Sequence, residues 1–102
     1  MANVIRSTTP TFKYTFKTVQ VNTITAAYLT IAKNGIPVLE RDLDTAVIGD
    51  KYIAWTLTQQ ETLGLASGTA EVMVNWKTAG GTRGASLKST VIIEQNLKSE
   101  VI

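Results

Sequence analysis

The side chains in this sequence that could do chemistry are few and of few kinds. Eight Asp and Glu stand against ten Lys and Arg, with no Cys and no His. Without Cys there is no thiolate nucleophile, no disulfide framework and no zinc ribbon. Without His the usual proton carrier at neutral pH and the commonest metal ligand are missing. Carboxylates, threonines and lysines remain. A pair such as Glu40 and Glu94 would be needed for acid–base work, and nothing in the spacing brings any such pair together. The expectation is a protein that is not an enzyme, takes no small-molecule substrate and holds no cofactor or metal.

Four groups of residues offer binding chemistry, each beside a plainer reading. Asp42, Asp44 and Asp50 could ligate calcium. An EF-hand loop begun at Asp42 would need a ligand at its fifth position and Gly at its sixth, where the chain has Ala46 and Val47. A looser loop site stays open, but a solvated turn is favoured. Gly80-Gly81-Thr82-Arg83-Gly84 could cradle a phosphate, yet it lacks both the Lys-Ser/Thr ending of a P-loop and the G-x-G-x-x-G spacing; a hairpin tip needing positive φ explains it better. Trp55 and Trp76 could form a platform for sugar rings. Each alternates with aliphatics, Ile53 and Leu57 in one case and Val72 and Val74 in the other, which points to the core. Lys13 and Lys17, or Lys77, Arg83 and Lys88, could hold an anionic strand. Single-strand binders interleave such charges with exposed aromatics, and here the aromatics alternate away from the lysines. No nucleic-acid partner is expected.

The elements that must position these residues read as strands. Thr, Val and Ile make up 34 of 102 residues, and such β-branched side chains suit a pleated, half-buried surface. After Pro10, Phe12, Tyr14 and Phe16 alternate with Lys13, Thr15 and Lys17, the period of a strand with one buried face. Residues 24–33 carry apolar side chains on both sides, Ala26 and Tyr28 on one and Leu29 and Ile31 on the other. Asn34-Gly35 then signals a type I′ hairpin, and 36–42 is the returning strand. Pro37 cannot donate to a ladder and marks that strand as an edge. Short strands follow around Val47 and from Tyr52 to Leu57. Thr58-Gln59-Gln60-Glu61 reads as a capping box opening one helical turn near 59–64. Residues 69–78 alternate again, and 85–95 form a last strand, interrupted near Lys88-Ser89. The pattern predicts an all-β fold: an immunoglobulin-like, two-sheet antiparallel β-sandwich of about seven strands with one short helical turn. At this length it is one domain, 1–102, with 1–9 and 97–102 as arms or edge strands.

The formal net charge is +2, without the clustered patch of a nucleic-acid binder. No apolar run approaches the ~20 residues that span a bilayer, and no membrane partner is expected. Met1-Ala2-Asn3-Val4-Ile5-Arg6 lacks the charged and apolar regions of a signal peptide. The expectation is synthesis in the cytoplasm with no export address of its own.

Arg6-Ser7-Thr8-Thr9-Pro10-Thr11, followed by an aromatic strand, is similar to the R-G-T-T-P-T opening of small proteins encoded in phages and prophages of Gram-positive gut bacteria. The likeness continues through Lys33-Asn34-Gly35. It includes Leu57-Thr58-Gln59-Gln60-Glu61-Thr62, which resembles that family's L-T-Q-E-E-T, then the Gly80-Gly81 loop and the closing Leu97-Lys98-Ser99-Glu100-Val101-Ile102. The chain departs at Ser7, where the family has Gly, and at Thr82 to Ser86, where the family's loop is acidic. Members look like the N-terminal sandwich domain of phage baseplate upper proteins. The resemblance implies a non-enzymatic tail or baseplate structural or accessory protein of host-cytoplasmic origin. Such a protein works through protein–protein contacts, with tail components or with copies of itself, whether carried in the virion or used in assembly. The alternative is a carbohydrate-binding β-sandwich module. Val4, Ile5, Val101 and Ile102 are apolar residues a core this size need not absorb. They are the candidate interaction residues, unless both ends simply extend edge strands of the same chain.

Overall fold

The computed structural model describes residues 2–86 and 88–97. Among these residues nine strands form two sheets. Their bounds are β1 Ala2–Ile5, β2 Thr11–Thr15, β3 Ile24–Lys33, β4 Ile36–Asp42, β5 Val47–Ile48, β6 Tyr52–Thr56, β7 Gly68–Thr78, β8 Arg83–Ala85 and β9 Ser89–Glu94; among these residues the one α-helix is α1 at Gln59–Leu63, and 3-10 turns lie at Val21–Thr23 and Leu43–Thr45. The large sheet runs β1-β9-β7-β3-β4, and β8 continues the line of β9 alongside β7. The small sheet runs β2-β6-β5. The expected two-sheet sandwich is therefore present, with nine strands rather than about seven.

Local chemistry explains most of these elements. Asn34 and Gly35 both have positive φ, 55° and 78°, as a type I′ hairpin demands, and the turn joins β3 to β4. Pro37 lies on β4, which is the edge of the large sheet, and the β3–β4 register slips between Ile31 and Ala32. A proline that cannot donate and a bulge coincide there. Thr58 caps α1: its hydroxyl accepts from the Glu61 backbone N–H, and the Glu61 carboxylate accepts from the Thr58 N–H. The last strand is interrupted between β8 and β9. At the break Ser86 replaces the ladder, its N–H donating to the Val74 carbonyl (2.8 Å) and its hydroxyl accepting from the Val74 N–H (2.9 Å).

One pairing departs from the antiparallel expectation. β1 lies parallel to β9, with Val4 opposite Ile93. The connection between them runs through all the other strands, far more than the dozen or so residues that parallel neighbours require.

The core lies between the sheets. Leu29, Ile31, Val72, Val74, Val91 and Ile93 descend from the large sheet onto Ile53, Trp55 and Leu57 of the small-sheet side. Trp55 is fully covered, and its indole N–H donates to the Asp42 carbonyl at 2.8 Å. Phe16 closes one end, packed edge-on to Tyr14 and Trp76 with ring centroids 4.8 and 5.0 Å apart.

Candidate functional site

The strongest polar cluster joins the segments Arg6–Thr11 and Leu57–Thr62. Thr62 is fully buried on α1. Its hydroxyl donates to the Thr8 carbonyl (2.7 Å) and accepts from the Thr8 N–H (3.1 Å). Arg6 donates to the Leu63 carbonyl (2.7 Å), and the Gln59 amide donates to the Ser7 carbonyl (3.2 Å). The Arg6–Thr11 segment, which carries the chain from the large sheet to the small one, is thus clamped onto the helix. Ser7 adopts φ 64°, the left-handed region that glycine enters freely and that costs other residues roughly 1–2 kcal/mol. A second node sits on the other side of the helix. Arg41 of β4 donates to Glu61 (2.7 Å), to the Thr56 carbonyl (3.1 Å) and to the Thr45 hydroxyl (3.0 Å). Sequence spacing reveals the capping box but not this ion pair, which depends on where an edge strand meets the helix.

The carboxylates considered for catalysis stay apart. Glu40 is on β4 and Glu94 on β9, with β7 and β3 between them, three strand spacings or ~14 Å. Asp42 and Asp44 flank the crossover out of β4, while Asp50 lies in the turn before β6. Among the described residues, no group of three or more His, Cys, Asp or Glu is placed to hold a metal ion. Gly80-Gly81 forms the tip of the β7–β8 hairpin, with Gly81 at φ 88°, as the turn reading expects.

The two tryptophans separate. Trp55 is closed to solvent, whereas Trp76 is only partly buried. Gly84 stands opposite Trp76 in the ladder, and a Cβ there would fall 2.5 Å from the indole.

Lysines and aromatics are less segregated than alternation suggests. Phe12, Tyr14 and Phe16 do turn inward. Two tyrosines do not: Lys13 sits 4.4 Å over the Tyr52 ring on the outer face of the small sheet, and Tyr28 is 43% exposed on the outer face of the large one. That outer face also brings Lys77 and Arg83 directly opposite each other on β7 and β8. Lys88 pairs instead with Glu71, at 3.8 Å.

Of the terminal candidates, Val4 is corrected. It is 3% exposed and part of the core, because β1 extends the large sheet and turns it inward. Ile5 faces the other way and is 45% exposed. Val101 and Ile102 lie outside the described residues. Apolar side chains that sequence reading did not single out also stand open: Ile36 and Val38 at the β4 edge of the large sheet, Val47 and Ile48 at the β5 edge of the small one.

Two sheets of this size around a central buried tryptophan define the class: a β-sandwich of immunoglobulin-like proportions. No protein-family model matches the chain, and no curated protein matches it. Among solved structures, CopC from Methylosinus trichosporium OB3b superposes with a TM-score of 0.59 at 16% identity, over 96% of this chain and 89% of that one. The V domain of amphioxus IgVJ-C2 aligns with a TM-score of 0.38 at 11% identity, over 91% of this chain and 99% of that one. The CopC likeness is one of fold.

Proposed function

We propose that the chain is a phage- or prophage-encoded structural or accessory domain, tail- or baseplate-associated, acting through protein–protein contacts and not through catalysis. The observation that carries this reading is the clamp between Arg6–Thr11 and Leu57–Thr62. The two segments stand about fifty residues apart in sequence, yet Thr8 and Thr62 exchange two hydrogen bonds. Motifs that hold each other in place have a physical reason to occur together. The left-handed backbone at Ser7 gives the family's glycine a reason as well. Both features support membership, and neither builds a reaction centre. The alternative, a carbohydrate-binding module, calls for an open indole. Trp55 is sealed and Trp76 is wedged against Phe16, so no observation favours it.

The neighbouring genes test the proposal. Tape-measure, baseplate or lysis genes beside this one are the expected result, and metabolic neighbours would overturn it. Mass spectrometry of purified particles after prophage induction then separates a virion component, present at fixed stoichiometry, from an assembly factor found only in the lysate.

A further inference from the structure

The outer face of the large sheet holds a groove whose chemistry is one-sided. We infer that it receives a short acidic segment of a partner protein, with a carboxylate between Lys77 and Arg83 and an apolar side chain against the Tyr28 ring. This deepens the contact-domain reading by giving the partner a chemistry, and it rests on that reading only for its biological use.

The register builds the groove. Ala26 of β3, Lys77 of β7 and Arg83 of β8 stand abreast, and Tyr28, Asn75 and Ala85 form the next row along. The small residues fall at opposite corners of this patch. A groove of about 420 Å³ remains, lined by Tyr28, Asn75, Lys77 and Arg83, with Ala26 at its side. Lys77 and Arg83 are both exposed and directly opposite each other, and like charges so placed repel. Among the described residues neither makes an ion pair. The pairs are Arg41–Glu61 and Lys88–Glu71, and the guanidinium of Arg83 reaches only the Gly81 carbonyl at 3.4 Å. Among the described residues no carboxylate lines the groove. It offers an ammonium, a guanidinium, an amide and a phenol, a set rich in donors. A carboxylate set between the two cations relieves their repulsion, and the guanidinium fork suits its two oxygens.

The surroundings select a short acidic peptide over a long polyanion. Asp42 and Asp44 stand beyond Tyr28, and all three line a second groove of about 140 Å³. A phosphate backbone crossing the sheet would meet those carboxylates. Two cations also neutralise few phosphates, and Lys88 is engaged by Glu71. A peptide extended along β7 avoids the aspartates. Its alternate side chains lie ~6.8 Å apart, the step that separates the row of Tyr28 and Asn75 from the row of Lys77 and Arg83. An apolar residue at one position and a Glu or Asp two residues away match both rows at once. Tyr28 then supplies apolar contact, and the cations fix the register.

A peptide of that pattern tests this. Capped Glu-Ser-Phe-Ser-Glu fits in either chain direction, and Gln-Ser-Phe-Ser-Gln is its neutral counterpart. Each is titrated at low salt into isotope-labelled protein, with the backbone amides followed by NMR. The acidic peptide should shift the amides of residues 26–28, 75–77 and 83–85 saturably, with a dissociation constant on the order of 1 mM, and added salt should weaken it. The neutral peptide should bind ~10-fold more weakly, the scale of two exposed charge contacts. So should the acidic peptide on Lys77→Gln with Arg83→Gln. Tyr28→Ser should abolish the preference for Phe over Ala at the peptide's centre. Lys17→Gln removes an exposed charge elsewhere and should bind as the natural chain does. The same spectra show that each variant is folded. No saturable shift at ~10 mM peptide, tenfold past the expected constant, overturns the inference. So do equal binding of the neutral peptide, an equal loss in Lys17→Gln, or shifts centred on another face. A short oligothymidylate that takes the same amides more tightly than the peptide also overturns it, in favour of a phosphate polymer. None of these results touches the gene-neighbourhood test, so the two readings fail separately.

Discussion

Removing the Glu61 carboxylate should loosen the joint between the two sheets. One oxygen of Glu61 accepts from the Arg41 guanidinium at 2.7 Å and from the Thr58 N–H at 2.8 Å. The side chains of Arg41 and Glu61 are only 16% and 23% exposed, so water screens the pair less than a surface pair. Glu61→Ala deletes half of a capping box, worth about 1 kcal/mol. It also deletes a charge-assisted hydrogen bond, worth about 1.5–3 kcal/mol. Arg41 keeps its bonds to Thr45 and Thr56 but loses its counter-charge. The expected total is about 2–4 kcal/mol, or a fall in Tm of roughly 10–25 °C for a domain of this size. Glu61→Gln retains an acceptor and should cost about half as much. Urea unfolding of the natural chain, Arg41→Ala, Glu61→Ala and the double variant gives the coupling directly. A coupling of about 1–2 kcal/mol is expected; one below ~0.3 kcal/mol, the noise of additivity, would refute the claim that this pair ties β4 to the helix.

Four further outcomes follow from the geometry. Gly84→Ala should cost about 1–3 kcal/mol by overpacking, because its Cβ meets the Trp76 ring, and Trp76→Phe should recover part of that loss. Gly35→Ala, in open space but at φ 78°, should cost roughly 1–2 kcal/mol through strain alone, with no change in tryptophan emission. Thr62→Val should cost about 1–3 kcal/mol by stranding the Thr8 amide and carbonyl, and Thr62→Ser, which keeps the hydroxyl, should cost less; a Thr62→Val variant that unfolds at the natural temperature would refute the hydroxyl's role in the clamp. Iodide should quench only one class of tryptophan, and that class should vanish in Trp76→Phe, not in Trp55→Phe.

The sequence makes legible whatever depends on neighbours within a few residues. The bounds 24–33 and 36–42 coincide with β3 and β4 because Asn34-Gly35 fixes the turn and alternation fixes the faces. The capping box reads equally well, since Thr58 and Glu61 are three residues apart. What is not legible depends on distant partners. Val4 reads as spare apolar surface until β9 is seen to pair with it. Trp55 and Trp76 have the same alternation signature and different exposure, which follows from where the small sheet's cover ends. Lys77 and Arg83 become one feature only once the β7–β8 register sets them opposite.

The edges of this sandwich argue about where a partner can sit. Edge-strand pairing is a common docking route for a sandwich, yet most edges here carry an obstacle to it. Pro37 removes a donor from β4, and the register slip beside it distorts the ladder. β5 is two residues long. β2 carries Lys13, held over Tyr52. β1 is a plain edge, but at four residues it is short for strand addition.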